Sequence, residues 1–462
     1  MKDTKGKNFQ EKDTESSEKY IQMTQTPVKP LICRLAVPTI ISNLITTFYN
    51  MADTFFIGKI STSASGAVGI AFSVMAVIQA IGFYFGQGSG NNISRMLGEK
   101  REEEAKRLAS TAFFSALIAG AVFGAVGLMV LKPFCRLLGS TETILPYAMS
   151  YLRLILIGAP YMTASLVLNN QLRFEGYAFY GMIGLTTGGI LNLILDPLFI
   201  FGFHMGITGA ALATILSQFV SFCLLFWGVT RKGDVAVQLR FFSPSLKYYQ
   251  IITNGGLPSL CRQSIAGISV AFMNQAAGRF GDAAIAAVAI VSRITNFSNS
   301  VILGFGQGFQ PVCGYNYGAR LYRRVKEAFW FCVQVGTVFL LGLAIVEFAA
   351  APHLIALFRK GDPQVLEIGV RVLRFQCITL CINCWSMMSN MMMQTTGKAF
   401  RASFMGMARQ GIFLIPAVFL FPRFLGITGI QIAQPVADVM CFILCVILQM
   451  GLLRELGEND GR

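Results

Sequence analysis

The chain has 462 residues, 54% of them apolar and only 13% charged, with a mean hydropathy of +0.58. Soluble domains carry roughly 25% charged residues, so this composition excludes the ordinary soluble class and places the chain in a bilayer. The net charge of +15 comes with no aromatic-basic module, which argues against a nucleic-acid partner.

Residues 1–34 mix Lys, Asp, Glu, Ser and Thr without an apolar core or a small-residue cleavage site, so they are not a secretory signal. They predict a solvated, disordered tail. From residue 35 onward, apolar runs of about 20 residues recur, each enough to cross a ~30 Å hydrocarbon layer as a helix. The predicted cores are 35–57, 67–92, 108–131, 148–170, 179–201 and 208–229, then 250–277, 283–310, 327–351, 368–394, 403–421 and 428–453. Twelve spans predict an all-α integral membrane protein.

The second six spans repeat the first six. Phe85-Gly86-Gln87-Gly88 returns 220 positions later as Phe305-Gly306-Gln307-Gly308, and Gly206-Ile207-Thr208-Gly209 returns as Gly426-Ile427-Thr428-Gly429. Pro38, Gly58, Gly98 and Lys106 keep the same register with Pro258, Gly278, Gly318 and Lys326. Such duplication predicts two six-helix lobes. With an even number of spans in each, the pseudo-two-fold axis runs along the membrane normal, a transporter geometry that can alternate between two states. The expected divisions are a first lobe over 35–230, a linker over 231–250, a second lobe over 251–453 and a short tail over 454–462.

Basic residues set the orientation. Loops on the side of the termini hold 18, among them Arg95, Lys100, Arg101, Arg231, Lys232, Arg320 and Arg324, while the opposite loops hold Lys59, Lys132, Arg136, Arg279, Arg359, Lys360 and Arg423. The positive-inside rule then places both termini in the cytoplasm of a multi-pass protein of the plasma (inner) membrane.

Differences between the copies are where function should lie, since the shared fold does not demand them. Ionisable groups at membrane depth are costly and functional by default. Asp53 lies in span 1 and Asp196 in span 5, and their register partners are Met273 and Pro416. Asn192 precedes Asp196 by one helical turn, as Tyr49 precedes Asp53, so each shares a face with its acid. Two neighbouring carboxyls in a low dielectric would exchange a proton near neutral pH and titrate as a pair.

Other residues carry less. Asp438 in span 12 is a candidate second-half cation site, although its register partner is Gln218 and no second acid accompanies it. Arg153, Arg262, Arg293, Arg371, Arg374 and Arg409 fit snorkelling or pairing. Methionines 387, 388, 391, 392 and 393 fit helix packing, with adaptable ligand contact as the alternative. Cys377, Cys381 and Cys384 have redox-like spacing but no nearby histidine, so packing is favoured over a metal. The Gly-Gln-Gly segments lack the strand-turn-helix setting of phosphate loops and fit close helix packing.

Ala52-Asp53-Thr54, Asn192-x-x-x-Asp196-Pro197, Arg173-x-Glu175-Gly176 and the paired Gly-Ile-Thr-Gly segments together resemble the multidrug and toxic compound extrusion (MATE) family, over residues 35–453. The similarity is closest to bacterial members with an acidic pair in the first lobe. The resemblance implies an exporter of amphipathic, often cationic compounds, driven by inward H+ or Na+. It also implies that Asp53 and Asp196 are the coupling carboxyls, with Asn192 and Thr214 in their polar network and Tyr49, Tyr151 and Asn169 in the cavity. No cofactor or structural metal is implied, and Na+ at Asp53 and Asp196 is the one cation to consider. The partners expected are drugs or cationic xenobiotics and membrane lipids, with a single chain sufficient. The alternative transport reading is a lipid-linked saccharide flippase, which would favour a cavity rich in Arg and Lys. An enzyme reading finds no nucleophile-base pair or metal constellation at span depth.

Overall fold

The computed structural model describes residues 17–358 and 362–460. A helix over 17–25 (α1) precedes the first span. The first lobe then comprises α2 (Val28–Gly58), α3 (Thr62–Gly98), α4 (Glu102–Met129), the short α5 (Leu131–Leu137), α6 (Leu145–Phe174), α7 (Ala178–Pro197) and α8 (Gly206–Lys232). The second comprises α9 (Leu246–Gly278), α10 (Asp282–Gly318), α11 (Tyr322–Phe358), α12 (Pro363–Thr395), α13 (Ala399–Met407), α14 (Ile415–Leu425) and α15 (Ile427–Asp460). Among the described residues, ten spans are long and apolar enough to cross a membrane by composition alone. The other two, α9 and α12, have 33 residues each and are diluted by Asn, Gln and Arg, so twelve helical passes are present.

Local chemistry sets several boundaries. The Ser61 side chain accepts from the Ala64 amide at 3.0 Å to start α3, and Asp362 accepts from the Gln364 and Val365 amides to start α12. These contacts satisfy amides that a helix start otherwise leaves open. Glu102, Glu103 and Glu104 occupy the first turn of α4, where the helix dipole favours negative charge.

Three expectations change at the ends. The tail predicted to be disordered through residue 34 is helical over 17–25 and joins α2 at Val28, because α1 finds partners on both lobes; residues 1–16 lie outside the described residues. The linker shortens to 233–245 and is anchored rather than loose. Gln238 donates its amide to the Ser110 hydroxyl at 3.1 Å, and Val235 donates to Glu175 at 3.2 Å. The tail predicted from 454 continues α15 to Asp460, with Glu455 paired to Lys398 at 2.8 Å and Arg401 at 3.1 Å.

The lobes meet along a seam in the half of the molecule that bears the termini. A side chain at Gly308 would reach within 2.5 Å of the Ala36 backbone, and one at Gly88 would strike Ile252 and Gly256. Ala36 and Gly256, like Gly88 and Gly308, are register partners, so the contact occurs twice about the pseudo-two-fold axis. Close helix approach of this kind needs small residues. Thr39 adds a hydrogen bond to the Gly304 carbonyl at 2.6 Å, and Asn43 one to Gln307 at 3.2 Å.

The apolar core follows the same division. One buried cluster joins both lobes through Ile32, Ile93, Ile252, Phe309 and Val312 and continues into the second lobe. At the far ends the clusters separate, one holding Ile57, Ala64, Tyr151 and Ile207 and the other Ala276, Ala284, Val418 and Ile430. The lobes are therefore joined at the end that bears the termini and packed independently at the other. Around the outside, Ile118, Val122, Ile345, Val346, Ile443 and Ile447 are exposed, an apolar belt suited to lipid.

Candidate functional site

Two adjacent glycines bring the acidic pair together. A side chain at Gly189 would lie 2.9 Å from Ile45 and 3.1 Å from the Tyr49 ring, while one at Gly188 would lie 2.9 Å from Ser221 and 3.2 Å from the Ser217 carbonyl. Bare backbone on both sides lets α7 slot between α2 and α8. One turn beyond Tyr49 stands Asp53, and two turns beyond the glycines stands Asp196, so the two carboxyl groups become neighbours.

Asp196 is fully buried and Asn192 nearly so. The Asn192 Nδ2 donates to Asp196 Oδ1 at 3.3 Å. Asp53 Oδ1, Asp196 Oδ2 and the Tyr151 hydroxyl are buried without a hydrogen-bond partner. Neither acid has a cationic partner among the described residues. Two carboxyls so placed cannot both carry charge unless a proton or cation compensates them. Immediately after Asp196-Pro197 the helix widens into a π-turn over Leu198–Gly202, a feature that often marks functional positions.

Tyr49, Tyr151 and Thr214 lie around the pair, and Gln218 joins them beside Tyr49. The Thr214 hydroxyl donates to the Ala210 carbonyl at 3.0 Å. Asn169 stands apart. Its Nδ2 donates to the Gly181 carbonyl at 3.3 Å, and with Thr39, Asn43 and Gln307 it lines a void of about 20 Å³ at the seam. Six of the seven sequence-predicted residues therefore gather at one place.

The second lobe holds two groups that sequence reasoning did not single out as functional. Arg409, within a π-turn over Ala408–Leu414, donates from Nε to Asp438 at 2.8 Å; it pairs rather than snorkels. Glu347 is 4% exposed and bonded to the Ser298 hydroxyl, with the Cys377 thiol 3.8 Å away. The signal for Glu347 was present, a single acid inside Ala344-Ile345-Val346-Glu347-Phe348. The methionines at 388, 391, 392 and 393 are buried in the core, and all eleven cysteines are unpaired.

A family model, MatE, matches residues 38–198 and again 258–420. The chain belongs to the MATE family. The two matches begin at Pro38 and Pro258, register partners in the repeat, so the model recognises each lobe separately. Over 441 residues the chain is 25% identical to the multidrug export protein MepA of Staphylococcus haemolyticus, covering 95% of this chain and 97% of that protein. Its fold is similar to that of a MATE transporter solved in complex with MaL6, with a TM-score of 0.90, 27% identity and coverage of 95% and 99%. A multidrug resistance MATE transporter of the MOP superfamily in an outward-facing conformation also matches, at a TM-score of 0.90, 26% identity and coverage of 95% and 98%.

Proposed function

We propose that this MATE-family transporter is an antiporter that exports amphipathic, often cationic compounds across the plasma membrane in exchange for H+, with Na+ as the alternative coupling ion. The observation that carries the reading is the pair Asp53 and Asp196, the first partly and the second fully buried, side by side without a counter-cation among the described residues. With both termini in the cytoplasm, the sealed seam faces inward and the parted lobes face out. In this state the acids take up ions arriving from outside, and the compensated pair favours repacking of α2, which releases cargo. An ion shifts the lobes only by its differential affinity for the two states.

Asn192 and Thr214 serve in this reading as polar supports of the pair, and Tyr49, Tyr151 and Asn169 as candidate cargo contacts reached as the lobes move. A lone chain contains both lobes, so a monomer in lipid suffices. An unpaired acidic site repels phosphates, which disfavours the flippase alternative. The test is ethidium efflux in proteoliposomes with pH and Na+ gradients imposed separately. A gradient response that Asp196→Asn abolishes supports antiport. Full efflux by that variant, or indifference to both gradients, removes it.

A further inference from the structure

Each lobe has a polar site at the same place in the repeat, and the two differ in electrical character. The 220-residue register pairs Tyr49 with Ser269, Thr214 with Gln434 and Gln218 with Asp438. The first-lobe site holds two acids with no counter-cation among the described residues. Its second-lobe counterpart is a cavity of about 140 Å³, lined by amides from α9, α10, α12 and α15. The first-lobe equivalents of Asn296, Gln376 and Arg409 are Ala76, Leu156 and Gly189, so the shared fold does not require this polarity.

Asp438 does not make this cavity acidic. It accepts from Arg409 Nε at 2.8 Å, Gln434 Nε2 at 2.9 Å, Thr379 Oγ1 at 3.3 Å and Asn383 Nδ2 at 3.4 Å. A cargo cation would have to displace a guanidinium already in place. A guanidinium offers five N–H donors, and Arg409 commits its Nε to Asp438 while its side chain, 29% exposed, lines the cavity. Carboxamides and hydroxyls share the rest of the wall with Val270, Met273, Val288, Leu380 and Leu414, so the site offers donors to an acceptor-bearing group beside an apolar surface. Size narrows the ligand further. Drug-sized molecules occupy pockets of about 300–1,000 Å³, whereas a cavity near 150 Å³ holds a single ring such as benzene. Only one end of a cargo molecule fits.

We propose that this second-lobe pocket takes the carbonyl or carboxylate end of an amphipathic cargo, with Arg409 donating to its oxygens. The inference rests on the export reading and specifies it: the first lobe suits the cationic end of a compound and the second its acceptor end. Arg409 acts as a specificity residue. Zwitterionic amphiphiles are the substrate class that satisfies both sites.

The experiment measures equilibrium binding to the purified full-length protein in detergent, without a gradient, for two probes. Norfloxacin carries an amine and a carboxylate on one scaffold; ethidium is a cation without such an acceptor. Gln376→Leu removes one amide at nearly constant side-chain volume while keeping the ion pair. The double variant Arg409→Gln/Asp438→Asn removes the guanidinium while leaving a neutral hydrogen-bonding pair. Each variant is expected to raise the norfloxacin Kd at least tenfold and to change that of ethidium less than threefold. Unchanged norfloxacin affinity in both variants, equal losses for both probes, or no norfloxacin binding by the unaltered protein overturns the proposal. Because binding is read without a gradient, a failure of antiport in vesicles is seen separately.

Discussion

Gly98 and Gly318 are one position of the repeat on the two sides of a single seam: a side chain on either would collide with the helix opposite, Gly98 at the Tyr315 carbonyl and Gly318 at that of Arg95. The obstacle in both cases is backbone, which cannot rotate aside. Gly98→Ala and Gly318→Ala should each weaken the sealed arrangement by about 1–3 kcal/mol, the usual cost of overpacking. Spin labels at Phe55 and Val270, on the far halves of α2 and α9, should report a shorter distance in the variants as the opposite mouth closes. An unchanged distance distribution in both would show that the seam tolerates a methyl group.

The acid pair makes a second prediction. Asp53→Asn and Asp196→Asn should each abolish pH-driven efflux while leaving membrane insertion intact, because each removes the site that a proton compensates. Asn192→Leu should weaken efflux by about tenfold rather than abolish it, since one neutral hydrogen bond contributes about 0.5–1.5 kcal/mol. Initial efflux rates in proteoliposomes containing equal amounts of protein check the ranking.

Arg409 and Asp438 predict a stability pattern. Removing one partner of a buried ion pair typically costs about 3–5 kcal/mol, an upper bound for a pair whose arginine is 29% exposed, and replacing both with apolar residues is often close to neutral. Asp438→Leu and Arg409→Met should therefore each lower the Tm of the detergent-purified protein, and the double variant should recover most of the loss. Additive losses in the double variant would argue that the two side chains do not act as a pair.

Lys19, on α1 outside the spans, predicts a pH effect. Burial pushes its ammonium down to about 8, opposed by Asp234 and reinforced by Arg34. The undocked helix, with an ordinary lysine value near 10.5, binds the proton more firmly than the docked one. Docking should thus strengthen as pH rises from about 8 toward 10.5, and Lys19→Met should remove the dependence. Hydrogen exchange of the amides of residues 17–25, corrected for intrinsic rates, measures this.

Hydropathy and the repeat made the fold legible, because a span must be apolar along most of its length and the second copy confirms the register of the first. Asp53 and Asp196 were legible because their charge stands out in apolar helices and has no echo. The Arg409–Asp438 bond was hidden because its partners lie on different helices and sequence spacing does not encode that approach. Glu347 meets the criterion that found Asp53, a lone acid in an apolar run, yet the sequence reading does not name it. The helix over 17–25 left no apolar stripe to read, since tertiary contacts rather than its own periodicity hold it in place.

Those contacts reach both lobes. Lys19 donates to the Gly176 carbonyl at 2.9 Å on the first lobe, while Asn316 and Arg324 of the second donate to the carbonyls of Met23 and Thr26. Three such bonds, at about 0.5–1.5 kcal/mol each, can bias a two-state equilibrium by tens-fold or more. Pro27 tethers this clasp directly to α2, so its effective concentration at the seam does not fall with dilution. A fluorescent reporter fused ahead of residue 17 would load the clasp itself, whereas one fused after Asp460 would leave it alone; the choice of end for a tag becomes a choice about which state is observed.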